Sequence, residues 1–214
     1  PLQIIGIPWP TRNTLSLNTQ SLNKTPEQIT TYISEAVAAI IKDFAQKLDP
    51  SIPSILAGHL TVSSGIFSGS EKRAIYGNDP VLMPSSLAIE PLDYVALGHL
   101  HRYQNLNPNG YPAIVYSGSI ERIDFGERKE DKGFCIVHAE RGKTTHQFIE
   151  GPMRPFIQVE VKLIENADTH TTQILEALDK QPSLKLQQAA DDSKKPIVKI
   201  VYHIPPSIKD GVDI

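Results

Sequence analysis

The sequence is poor in sulfur and in rings. Of its 214 residues one is cysteine, two are methionine and one is tryptophan, and aromatic residues make up 7%. A lone Cys135 excludes an internal disulfide framework and a cysteine-rich zinc module. No apolar run is long enough for a helix to cross a bilayer. No basic segment followed by an apolar one marks a secretory leader, so a cytoplasmic location is expected. Neither sign of charge dominates: 21 Lys and Arg stand against 24 Asp and Glu, a formal net charge of −3. That balance argues against a generally basic nucleic-acid coat but leaves room for a local basic groove. No Gly-x-x-x-x-Gly-Lys-Ser/Thr loop occurs, so ATP is not expected to bind this chain by that device. No repeat of solenoid length is present.

What is there has the composition of a globular α/β protein, 40% in the hydrophobic class and 21% charged. Residues 2–9 read as a strand with no preceding turn or cap. Pro1 is therefore expected to be a cut point, with sheet partners upstream. Thr25 then offers an N-cap, Pro26 suits the first helical position, and Gln28 completes a capping box. Ile29, Ile33, Val37, Ile40, Ile41, Phe44 and Leu48 follow at helical spacing. Strands are expected at 54–57, 92–97, 113–116 and 133–138, with a fifth at 144–149 across a turn at Arg141-Gly142. A composition shift at 151–155 divides the chain into residues 1–150 and 151–214. The second part reads as strand 156–164, helix 168–180 with Ile174, Leu175 and Leu178 inward, a polar connection, and strand 197–204. It is expected to be a small α+β domain, incomplete at its end.

Two strands finish with the same grammar, Ser54-Ile55-Leu56-Ala57-Gly58-His59-Leu60 and Tyr94-Val95-Ala96-Leu97-Gly98-His99-Leu100. In each, a buried strand ends, a glycine permits a turn or close approach, and a histidine follows. Functional groups in α/β folds collect at the carboxyl ends of strands. If the two strands are neighbours, His59 and His99 project from one rim. His101 adds a third imidazole two residues on, about 6.5–7 Å along extended chain. Paired hydrolytic metals lie roughly 3.5–4 Å apart, so imidazoles at 99 and 101 have the spacing to reach different ions of one pair.

Three blocks at these spacings resemble the SbcD family. They are Ala57-Gly58-His59-Leu60-Thr61-Val62-Ser63, then Asp93 through Arg102, then Tyr116-Ser117-Gly118-Ser119-Ile120-Glu121-Arg122-Ile123-Asp124-Phe125-Gly126-Glu127. That family is the nuclease subunit of the bacterial SbcCD complex, within the calcineurin-like metallophosphoesterases. The resemblance covers residues 1–150 and continues less specifically beyond. It implies part of a four-layer α/β/β/α metallophosphoesterase sandwich followed by a small capping domain that positions DNA. It implies two divalent metal ions, manganese by family habit, with His59 and His99 on one ion and His101 on the other. The implied chemistry is hydrolysis of DNA phosphodiesters, exonucleolytic and endonucleolytic, in repair, recombination and replication. The ions would bind the phosphate, activate a water and stabilise the leaving oxygen. Partners implied are DNA, an SbcC-type ATPase subunit and a second copy contacting through a missing half.

The family's Asp-x-His, Gly-Asp-x-x-Asp and Gly-Asn-His-Asp motifs do not precede these blocks. They supply the bridging carboxylate and the catalytic histidine, so no catalytic residue is expected within this chain. Asp168-Thr169-His170 matches the first motif but lies far downstream, where Asp168 reads as a helix cap. Gly77-Asn78-Asp79 reads as a turn. The chain is therefore expected to be an inactive fragment. Ser117 and Ser119 are candidates for phosphate contact or for orienting a histidine. Arg12, Arg102 and Arg122 are candidates for DNA phosphates. Residues 128–132 read as a solvated charged loop, and Trp9 as a packing anchor. Three other readings stay open: another calcineurin-like phosphoesterase, a non-catalytic module docking DNA or a subunit, and a lone histidine-ligated zinc site of hydrolytic type.

Overall fold

The computed structural model describes residues 1–11, 25–69, 71, 79–164, 169–182 and 195–205. Arg12, Gly77, Asn78 and Asp168 lie outside them. The chain forms two compact units, residues 1–120 with 130–151, and residues 121–129 with 152–214.

The first unit is built on a five-stranded sheet. Its strands are β1 (Gln3–Ile7), β2 (Ser54–His59), β5 (Tyr94–Gly98), β7 (Ala113–Tyr116) and β6 (Gln104–Asn105), in that spatial order. The first four run parallel, and β6 is antiparallel to β7. A minor pair joins β3 (Thr61–Val62) to β4 (Val81–Leu82). Helix α1 (Pro26–Gln46) links β1 to β2. Its start is fixed as its sequence dictates: the Thr25 side chain accepts from the Gln28 main-chain N–H, and the Gln28 side chain accepts from the Thr25 N–H.

The buried line of α1 is Ile29, Ile33, Val37, Ile41 and Ala45, in steps of four. It packs in one cluster with Ile5, Ile7, Leu56, Val95, Leu97 and Ile114 from the sheet. Phe44, expected inside, is 43% exposed, whereas Ala45 is 1% exposed. At 100° per residue the inward line falls on 45, and Phe44 is carried to its flank.

Strand alternation turns Tyr94 to the face opposite Val95 and Leu97. There it meets His146 of the hairpin β8 (Gly133–His138) and β9 (Thr145–Glu150), with ring centroids 5.6 Å apart. Tyr103 stacks on Phe148 of the same hairpin at 4.2 Å. Asp93 pins the hairpin's turn at the opposite end of β5 from the histidines. Its fully buried carboxylate accepts from Arg141 Nη1 at 2.7 Å, Gly142 N–H at 2.8 Å, Tyr111 O–H at 2.6 Å and Ser54 N–H at 2.9 Å.

The second unit pairs β10 (Phe156–Lys162) with β11 (Ile197–His203) in parallel. Helix α2 (His170–Asp179) lies between them in the chain. Val159, Val161, Leu163 and Ile174 form its core, with Leu178 packed against them. Leu175, expected inward, is 55% exposed. The α2 cap is Thr169, whose hydroxyl accepts from the Thr172 N–H. No helix among the described residues is long and apolar enough to cross a membrane.

Candidate functional site

Parallel pairing of β2 with β5 sets His59 beside Gly98 in register. His59, which ends β2, and His99, one residue past β5, therefore meet, with ring centroids 5.1 Å apart. Gly98 matters because a Cβ there would sit 3.2 Å from His59 Nδ1. The backbone then turns sharply at His99, whose φ is +105°. A non-glycine residue is strained in that region, and such strain collects at functional sites.

Trp9, two residues past β1, closes the cluster. Its ring lies 4.6 Å from His99 and 5.7 Å, edge-on, from His59. It is the packing anchor the sequence suggested, and the residues it anchors are the two imidazoles. Asp79, read from sequence as part of a turn, brings its carboxylate to 3.7 Å from His99 Nε2. That nitrogen is buried and makes no hydrogen bond among the described residues. Burial and the neighbouring His59 push the His99 pKa below the ordinary histidine value, although Asp79 opposes them. Burial pushes the Asp79 carboxyl up, against the opposing pull of His99. A neutral imidazole is the form a metal requires.

His101 is held differently. Its main-chain N–H donates to the Glu71 carboxylate, and the same oxygen lies 3.4 Å from its Nδ1. Its carbonyl accepts from Lys132 Nζ at 2.7 Å and from the Ser119 N–H at 3.0 Å. Ser119 Oγ also reaches that carbonyl, at 3.5 Å. Gly118 has φ +77°, and a Cβ on it would lie 2.7 Å from the His101 carbonyl oxygen. The Ser-Gly-Ser turn thus lies directly along the His101 backbone. Ser117 makes only a 3.5 Å contact to the next carbonyl, that of Gly118.

Arg122 belongs to the second unit. It donates from Nη1 to the Arg154 carbonyl at 3.0 Å and from Nε to the Glu127 carbonyl at 3.3 Å. Lys132 overturns the solvated-loop expectation for 128–132: it is 1% exposed.

The structure therefore brings His59 and His99 together with Trp9 and Asp79, and ties His101 to Glu71 and Lys132. Sequence reasoning missed Asp79, Glu71 and Lys132. Each lies in a polar stretch without periodicity, so no local signal marks it. Among the described residues, no group of three or more His, Cys, Asp or Glu side chains is placed to hold a metal ion. The donors present do not by themselves fit a two-ion centre.

No family model matches the chain. It is 35% identical over 127 residues to the SbcD component of the nuclease SbcCD from Staphylococcus saprophyticus, covering 59% of this chain and 32% of that protein. It is 32% identical over 135 residues to the protein of the same name from Staphylococcus epidermidis, covering 63% and 34% respectively. The chain thus spans about a third of the length of the curated relatives it matches.

Proposed function

We propose, from the similarity to the two SbcD components, that this chain is part of an SbcD-type protein and that its first unit supplies part of the active rim of a metal-dependent nuclease subunit. The substrate in this reading is DNA, cut at its phosphodiesters by exonuclease and endonuclease action in repair, recombination and replication. The partner is an SbcC-type ATPase, with a second copy of the nuclease chain as a further contact, in the cytoplasm.

The observation that carries the reading is the His59–His99 pair at the carboxyl ends of adjacent parallel strands, 5.1 Å between rings. The buried His99 Nε2, which makes no hydrogen bond among the described residues, adds weight. His59, His99 and His101 are proposed as metal donors, with manganese the family's usual ion, and the remaining donors lie outside the described residues. Ser119 supports His101, and Ser117 and Arg122 are proposed DNA contacts.

Residues 1–150 are proposed as part of a nuclease domain and 151–214 as part of a DNA-positioning cap. A four-layer sandwich is supported by the apolar surface that the first sheet leaves open on its second face. There Ile4 is 64% exposed, and Ile55 and Ala57 are only half-buried.

The test is hydrolysis of labelled DNA with manganese. It compares this chain, a version extended to the length of its relatives, and the extended version carrying His99→Ala. The expected result is little or no cleavage by the chain alone, cleavage by the extended version, and loss with His99→Ala. An extended protein that cuts equally well without His99 would end the reading. The alternative is a non-catalytic docking module. Under that alternative the extended version would bind DNA without cutting it.

A further inference from the structure

Two buried charges converge on His101, and neither has a place in the chemistry above. The Lys132 side chain is 0% exposed and that of Glu71 is 5% exposed. Taking an ammonium and a carboxylate out of water is costly unless both are closely partnered. The partners here have one residue in common. Glu71 takes the His101 N–H with one oxygen and the Ser68 N–H with the other. Lys132 gives a proton to the His101 carbonyl and pairs with Glu130 at 3.1 Å. Glu130 in turn accepts from the Ser68 hydroxyl at 2.9 Å. One histidine is thus gripped at its donor and its acceptor by opposite charges, and Ser68 closes the ring between them.

We propose that Glu71 and Lys132 are positioning residues for His101, fixing the direction of its imidazole and placing its ring proton on Nδ1. The Glu71 oxygen that takes the main-chain N–H lies 3.4 Å from Nδ1. A carboxylate there stabilises a proton on that nitrogen and leaves Nε2 with its lone pair. Carboxylates behind ligating histidines do this generally, setting tautomer and ring orientation. Lys132 and the Ser119 N–H hold the carbonyl, so the ring cannot be realigned by a peptide rotation. The functional value of this arrangement rests on the reading of His101 as a donor. The tautomer itself does not, and is measurable without any metal.

The experiment is long-range proton–nitrogen correlation NMR of the histidine rings in this chain at neutral pH, with His101→Gln used for assignment. The wild type is expected to show His101 in the Nδ1–H form. Glu71→Gln removes the charge at nearly constant shape and should shift the His101 ratio toward Nε2–H. Lys132→Met keeps the buried stem and should broaden or split the His101 signals. The His146 signals should stay unmoved in both variants, confirming the fold. A wild-type His101 found in the Nε2–H form overturns the proposal without any variant. So does a His101 unchanged in both folded variants. The nuclease assay above fails or succeeds independently of this result.

Discussion

The Asp93 carboxylate holds four donors at once, and its removal has a magnitude that can be worked out. Asp93→Ala strands the Ser54 N–H, the Gly142 N–H, the Tyr111 hydroxyl and the Arg141 guanidinium together. The Arg141 side chain is about a third exposed and can turn to water, so the cost comes mainly from the buried donors left without an acceptor, about 3–5 kcal/mol in all. Asp93→Asn keeps the shape and one acceptor oxygen, so about 1–3 kcal/mol is expected, the penalty for unsatisfied buried donors.

The sole tryptophan, Trp9, lies in this unit, so its emission reports the unit's unfolding in urea. With a slope of about 2 kcal/mol per molar, the alanine variant should lower the midpoint by roughly 2 M. The carboxylate also makes a pH prediction. Burial pushes its pKa up, but hydrogen bonds from Gly142, Tyr111, Ser54 and Arg141 outweigh this and hold it below the ordinary aspartate value. A depressed folded pKa contributes stability above the unfolded value, lost as pH falls through the folded one. Acidification below about pH 4 should therefore erase much of the gap between wild type and Asp93→Asn. An alanine variant losing under about 1 kcal/mol with unchanged slope would refute the hub.

Two further outcomes follow from the rim. Gly118→Ala forces a side chain into a left-handed backbone and toward the His101 carbonyl; a loss of about 1–3 kcal/mol is expected in urea melts, with altered His101 ring signals. The His99 ring, followed by its Cε1 proton in NMR, should titrate below the ordinary histidine value, because burial and His59 disfavour its charge. A midpoint above that value would contradict the burial described for it.

The elements legible in the sequence are those whose information is local. The capping box at Thr25 and Gln28 placed the start of α1 to the residue, because its two hydrogen bonds span only three positions. The repeated strand-Gly-His ending pointed to His59 and His99 on the condition that their strands are neighbours, and the parallel register of β2 and β5 meets that condition. Glu71 and Lys132 were not legible. Their contacts with His101 span 30 and 31 positions, and nothing in a polar run distinguishes a solvated lysine from a buried one. Leu175 failed for another reason: a ten-residue helix against two strands covers a narrower stripe than its apolar residues offer.

Strand β5 begins beside Asp93 and ends beside His99, six residues on and about 20 Å away. One rigid rod therefore carries the unit's anchor at its tail and its paired imidazoles at its tip. At that separation substitutions at the two ends should act additively. The anchor can then be strengthened or weakened, and the whole unit's melting behaviour tuned, without retuning the imidazoles. For anyone engineering this chain, durability and the geometry of the histidine rim are two separate dials on a single strand.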